Sequence, residues 1–169
     1  MSSSLENFLF DPNVSIYNDV LLNWKNTPLG EFEVYAKAYY EAAEILTIQL
    51  LKQASSNGIN YCPAVFLYRH AVELYLKAAC LIGIELFALK NKQLLINNNP
   101  LTIERLFKGH KILRLLEVVK QIFDELSWSW NLEDEFGYFK EYQDFQSALQ
   151  GLESVDPKSD AFRYPVEKT

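Results

Sequence analysis

Between Phe66 and Cys80 the chain reads "FLYRHAVELYLKAAC", an apolar run that carries Arg69, His70, Glu73 and Lys77. Wound as a helix at about 100° per residue, Arg69, Glu73 and Lys77 descend one side at four-residue intervals, and His70 falls beside Glu73 and Lys77. All four share a wedge of about 100° and the remaining circumference is apolar. A helix so largely apolar belongs at the centre of a fold, so its wedge must meet water, a partner chain or a polar network. Three readings are open. The wedge is a solvated stripe whose Arg69–Glu73 and Glu73–Lys77 pairs contribute about 0.3–0.5 kcal/mol each. Or Arg69 bonds to carboxylates and carbonyls of the C-terminal tail, whose polar members include Asp156, Ser159 and Arg163, and pins it to the fold. Or the wedge touches a ligand or RNA.

A second cluster is basic. Lys108, Lys111 and Arg114, with Arg105 nearby, lie within one or two helical turns of each other and form a candidate RNA patch, since such cations neutralise backbone phosphates. Other chemistry is thinly supported. The two histidines stand 40 residues apart and the two cysteines have no ligand spacing, so no metal site is expected. Six scattered glycines form no phosphate-cradling loop, and no cofactor is expected. A Ser-His-Asp set of Ser159, His70 and Asp156 is of a kind that any protein of this size offers. Glu133, Asp134, Glu135, Glu141 and Asp144 read as a solvated face rather than paired acids.

Composition bounds the rest. A chain of 169 residues, 49% apolar and with eleven Phe, ten Tyr and three Trp, is one domain able to bury a real core. A net charge of −6 makes the whole molecule a poor trap for nucleic acid or anionic membrane and favours protein partners. Cys62 and Cys80 sit in apolar company and read as thiols of a reducing compartment. The start "MSSSLENFLF" has no basic segment, so no secretory signal is expected, and no apolar run reaches the ~20 residues of a membrane span. The expected location is the cytoplasm.

These residues need helices to position them. Residues 1–30 read as an arm broken by Pro12, Pro28 and Gly30, with one short helix in "VSIYNDVLLNWKN". Apolar residues at spacings of three and four predict a helix over 31–53. Pro63 suits the first turn of the next, which runs to about Ala88. "KNKQLLINNNP" is a polar connector with a turn signal, and Leu101 to Phe107 supplies one or two helical turns. Gly109 breaks the pattern. Ile112, Leu115, Leu116, Val119, Ile122, Phe123 and Leu126 then form one stripe of a fourth helix. Asn131 caps a last helix through about Leu152, with Trp128 and Trp130 flanking its start. The tail, 153–169, holds two prolines and is expected to pack back through Phe162 and Tyr164. The fold class is all-α: an up-and-down bundle of four long helices with short pieces. Tyr35, Tyr39, Tyr40, Trp128 and Trp130 are more large rings than such a bundle must bury, so a homodimer is expected.

In this order, "LYRHAVELYLKAACLIG", "GHKILRLLEVV" and "DPKSDAFRYP" resemble HEPN-type helical domains over residues 60–165. Those domains have an Arg and an "ELxLKA" segment on an early helix, a Gly-His step opening the next long helix, and a later "RYP". The resemblance implies a compact, often dimeric bundle from a toxin–antitoxin, phage-defence or RNA-processing system. Catalytic members are metal-independent ribonucleases whose Arg and His lie a few residues apart on the last helix. Here Arg163 is followed by six residues, none of them His, so that last-helix motif is absent or the chain ends before it. Arg105 and His110, separated by "LFKG", match the spacing earlier in the chain. In that role His110 would take the 2′-hydroxyl proton, and Arg105 or Arg114 would stabilise charge on the phosphorus. Gly109 lies between the pair, so they meet only through the turn or across a dimer. Otherwise His110 caps the following helix or bonds to the core. The leading expectation is a HEPN-like binding or assembly module of a bacterial RNA-linked or anti-phage system, without self-sufficient catalysis, partnered by itself or by the product of a neighbouring gene. A metal-independent endoribonuclease is the runner-up, and a purely structural subunit the third reading.

Overall fold

The computed structural model describes residues 32–53, 58–130 and 139–155, all within the unit Phe32–Thr169. The expected N-terminal arm and the packed tail, with Asp156, Ser159, Phe162, Arg163 and Tyr164, lie outside the described residues, as do Asn131 and Glu133 to Glu135.

The fold is all-α. Among the described residues its helices are α1 (Phe32–Leu51), α2 (Cys62–Leu89, entered through a 3-10 turn, Gly58–Tyr61), a short α3 (Ile103–Lys108), α4 (Ile112–Leu126) and α5 (Tyr142–Val155). Each forms where the apolar spacing demands it. In α1, Ala36, Ala43 and Leu50 are buried seven residues apart and bring the helix against α2. Pro63 occupies the first turn of α2, where its missing N–H costs nothing. The α4 stripe is buried or half-buried as expected, and Val118, outside that expectation, is buried with it. No helix among the described residues is long and apolar enough to cross a membrane.

α2 is the central element. It packs against α1 on one side and α4 on the other, and α5 lies on α4. The core gathers Cys80, Leu81 and Phe87 of α2, Leu94 and Leu101 of the connector, Leu106 of α3, and Leu115, Val118, Val119 and Ile122 of α4. Gly83 sets how closely α2 and α4 approach. A Cβ there would stand 2.3 Å from Ile122 Cδ1 and 2.8 Å from Leu94 Cδ1.

Two boundaries differ from the sequence expectation. The connector is more than a turn: Leu95–Ile96 (β1) and Asn99–Pro100 (β2) form a two-stranded antiparallel hairpin. Asn97 and Asn98 join the strands with φ of 49° and 59°, the left-handed pair that a tight hairpin turn needs. Two residues per strand are too few to show alternation. Leu94 and Leu101, both buried, anchor its base, where Leu101 N–H donates to Leu94 O. The described part of the last helix begins at Tyr142. There the Asp144 carboxylate accepts hydrogen bonds from the N–H groups of Lys140 and Glu141, capping the first turn. Asp144 is therefore a cap and not merely part of a solvated face.

Candidate functional site

The polar wedge of α2 is buried. Arg69 is 0% exposed, Glu73 1% and Lys77 4%, which excludes the solvated stripe. Helical spacing supplies two of the bonds within it. Arg69 Nη1 donates to Glu73 Oε2 at 3.1 Å and Lys77 Nζ donates to Glu73 Oε1 at 2.8 Å. Two more bonds come from the segment between α3 and α4. Arg69 Nη2 donates to the His110 carbonyl at 2.9 Å, and His110 Nδ1 lies 2.9 Å from Glu73 Oε1. Of the two roles expected for His110 outside catalysis, bonding to the core is the one observed.

Burial works against ionisation of Glu73. The hydrogen bond and charge of Lys77, then those of His110, outweigh it and hold the carboxyl below its ordinary range. An ionised carboxylate only accepts, so the hydrogen shared with His110 belongs to Nδ1. That leaves Nε2 as the imidazole's second polar atom, and the His110 side chain is 56% exposed. Cys80, one helical turn beyond Lys77, takes no part in such chemistry. Burial pushes its thiol up to about 12, and Lys77 offsets this only in part.

His110 is also part of a cleft. A cavity of about 560 Å³ is lined by Arg105, Lys108, His110, Lys111 and Arg114, together with the apolar Ile96, Leu106 and Leu115. Every charged residue lining it is basic. α3 places its members: Thr102 caps the helix by accepting from Arg105 N–H, and Gly109 ends it in extended backbone. Lys108 bonds to Glu104 at 2.6 Å on the open surface, and Arg105 Nη1 donates to Pro100 O at 3.1 Å. At the start of α4, Lys111 makes no side-chain cap. Glu153 of α5 accepts from Leu113 N–H at 2.8 Å instead, so one of the helix's free donors is already answered.

The fold thus brings the expected basic patch, Arg105, Lys108, Lys111 and Arg114, into one cleft with His110, and ties that cleft to Glu73 and Arg69. His70 does not join them. Its ring meets Tyr39 edge-on at 4.5 Å and stacks on Phe66 at 5.8 Å, on the side of α2 that faces α1. Tyr39 and Trp130 are accordingly not surplus rings. Trp130 stacks on Phe123 at 4.1 Å and packs edge-on to Tyr142 and Phe145. Tyr35, Tyr40 and Trp128 remain exposed. Sequence reasoning missed Asn97 and Asn99, which also line the cleft. The "NNNP" turn signal marked their place but not their neighbours. No group of three His, Cys, Asp or Glu able to hold a metal occurs among the described residues.

Compared with family models, with curated proteins and with solved structures, the chain gives no match in any of the three.

Proposed function

We propose that the protein is a HEPN-like binding and assembly module of a bacterial RNA-linked or anti-phage system, and that its α3–α4 cleft takes the backbone of single-stranded RNA without chemistry of its own. The observation that carries this reading is the cleft's charge. In a molecule of net charge −6, the charged residues lining the cleft are all cations. Such a concentration of one sign raises the local concentration of an anionic ligand. A polyanion bound this way releases counterions, so affinity falls as salt rises, with a log–log slope of about −0.7 per phosphate neutralised on a single strand. Fluorescence anisotropy of a labelled RNA oligomer across a salt series tests it. Changing Lys111 or Arg114 to Gln is expected to weaken binding and to flatten the slope by about 0.7 for each phosphate no longer neutralised. Salt-independent binding, or variants that bind like the wild type, would reject the cleft.

The second reading is a metal-independent endoribonuclease, favoured by two observations: Arg105 and His110 line the same cleft, and buried Glu73 holds the His110 Nδ1 hydrogen. Incubating the protein with mixed RNA in EDTA, beside a His110→Ala control, separates the two readings. Cleavage that disappears in the variant establishes the nuclease, and its absence in both leaves the binding module. The module is also proposed to dimerise, with Tyr35, Tyr40 and Trp128 as the available rings. Light scattering that returns a monomer's mass at micromolar concentration would reject that.

A further inference from the structure

The cations of the cleft account for phosphate, but the hairpin tip adds a different kind of surface to its lining. Asn97 and Asn99 stand there with Ile96, in the same cavity as Arg105, Lys111 and Arg114. An Asn amide offers a donor and an acceptor side by side, the arrangement that pairs with the edge of a nucleobase. Ile96, half-buried, supplies apolar surface against which a flat ring packs. A cavity of about 560 Å³ is of the size that holds one small ligand.

The hairpin backbone and the Asn99 amide are also held in place. The left-handed backbone at Asn97 and Asn98 fixes a two-residue turn. Asn99 Nδ2 donates to Asn97 O at 2.8 Å, which orients that amide and leaves its oxygen as an acceptor. The hairpin is clamped to α4 by Gln121, whose Oε1 accepts from Leu95 N–H at 3.0 Å and whose Nε2 donates to Leu95 O at 2.7 Å. Arg105 grips Pro100 O on the second strand, so one residue braces the hairpin and lines the cleft. A rigid tip loses little conformational freedom when it engages a ligand.

We infer that the hairpin tip reads one unpaired base of the bound RNA: Asn97 and Asn99 bond to its edge while Arg105, Lys111 and Arg114 hold the adjoining phosphates. This rests on the RNA-binding reading above and adds base selectivity to it. Sequence-specific RNA recognition targets unpaired bases, whose edges are open to amides. The selectivity is carried by the amides and the affinity by the cations, so the two are separable.

The test measures anisotropy with short single-stranded oligomers of A, of C and of U at one salt concentration. The wild type is expected to prefer one of the three by about tenfold, the scale of one well-made two-bond base contact. Asn97→Gly keeps a residue that tolerates the left-handed turn and removes the amide. Asn99→Thr keeps a good strand former and removes the other. Each is expected to shrink the preference to within about twofold while the salt slope stays unchanged. Circular dichroism checks that both variants keep the fold. Equal binding of all three oligomers by the wild type overturns the base-reading inference and leaves the phosphate cleft standing, as does a preference that survives both substitutions. Failure to bind any oligomer rejects the RNA reading and this inference together.

Discussion

Replacing Glu73 with Gln tests the buried network at its centre. The substitution keeps volume and shape and removes one negative charge, so the buried Arg69 and Lys77 lose the carboxylate they share. Removing one partner of a buried ion pair costs about 3–5 kcal/mol, because the remaining charge has already lost its water. Two features keep the effect near the low end. The amide oxygen still accepts a hydrogen bond, and Arg69 keeps the His110 carbonyl. The expected loss is therefore about 3 kcal/mol, or about 6–12 °C in melting temperature for a chain of this length. The pH dependence has a definite sign. The Glu73 carboxyl titrates below its ordinary value of 4.5 in the folded protein. A carboxyl depressed on folding contributes stability that is complete above its unfolded pKa and disappears as pH falls through the folded one. The gap between wild type and variant is thus largest above about pH 5 and narrows on acidification. Urea unfolding followed by circular dichroism, repeated from neutral pH downward, measures both. Adding Lys77→Met to Glu73→Gln removes one stranded cation and is expected to recover part of the loss. A Glu73→Gln protein within about 1 kcal/mol of wild type at pH 7 would refute the account of the network as charge-compensated.

Gly83→Ala forces a methyl against Ile122 and Leu94 and is expected to destabilise by about 1–3 kcal/mol in the same unfolding assay. Glu153→Ala leaves Leu113 N–H without its carboxylate, and about 1 kcal/mol of stability is expected to go with it. Cys80, with its thiol pushed up to about 12, is expected to resist alkylation in the folded protein at pH 8 and to react only when urea opens the core, as mass spectrometry of the labelled peptide would show.

Much of the helical framework was legible along the chain. The spacing of α4 named Ile112, Leu115, Leu116, Val119 and Ile122 of its buried face, Pro63 marked the start of α2, and Gly109 marked the break before α4. These signals are local: periodicity and the backbone limits of Pro and Gly act within a turn or two. The hairpin was not legible, because strands of two residues carry no period. Nor was the α5 cap, since Asp144 read equally well as one more surface acid. The site was legible in fragments. The wedge of α2 and the basic patch around Lys111 were each visible, as was the Arg105–His110 spacing, but nothing in the sequence joined the first to the other two.

The sequence by itself determined which side chains share a helical face. At four-residue spacing Arg69, Glu73 and Lys77 must be neighbours on any helix they form. Tertiary structure decided what those residues are for. Burial in the fold removed Arg69, Glu73 and Lys77 from water, which turned a weak surface pairing into a charge balance. The fold also brought His110 to Glu73 across 37 residues of chain. A bond of that separation follows from how helices pack and from where a connector ends. Both are set by the shapes of whole apolar faces, here the close approach that Gly83 permits, and no short-range pattern encodes them.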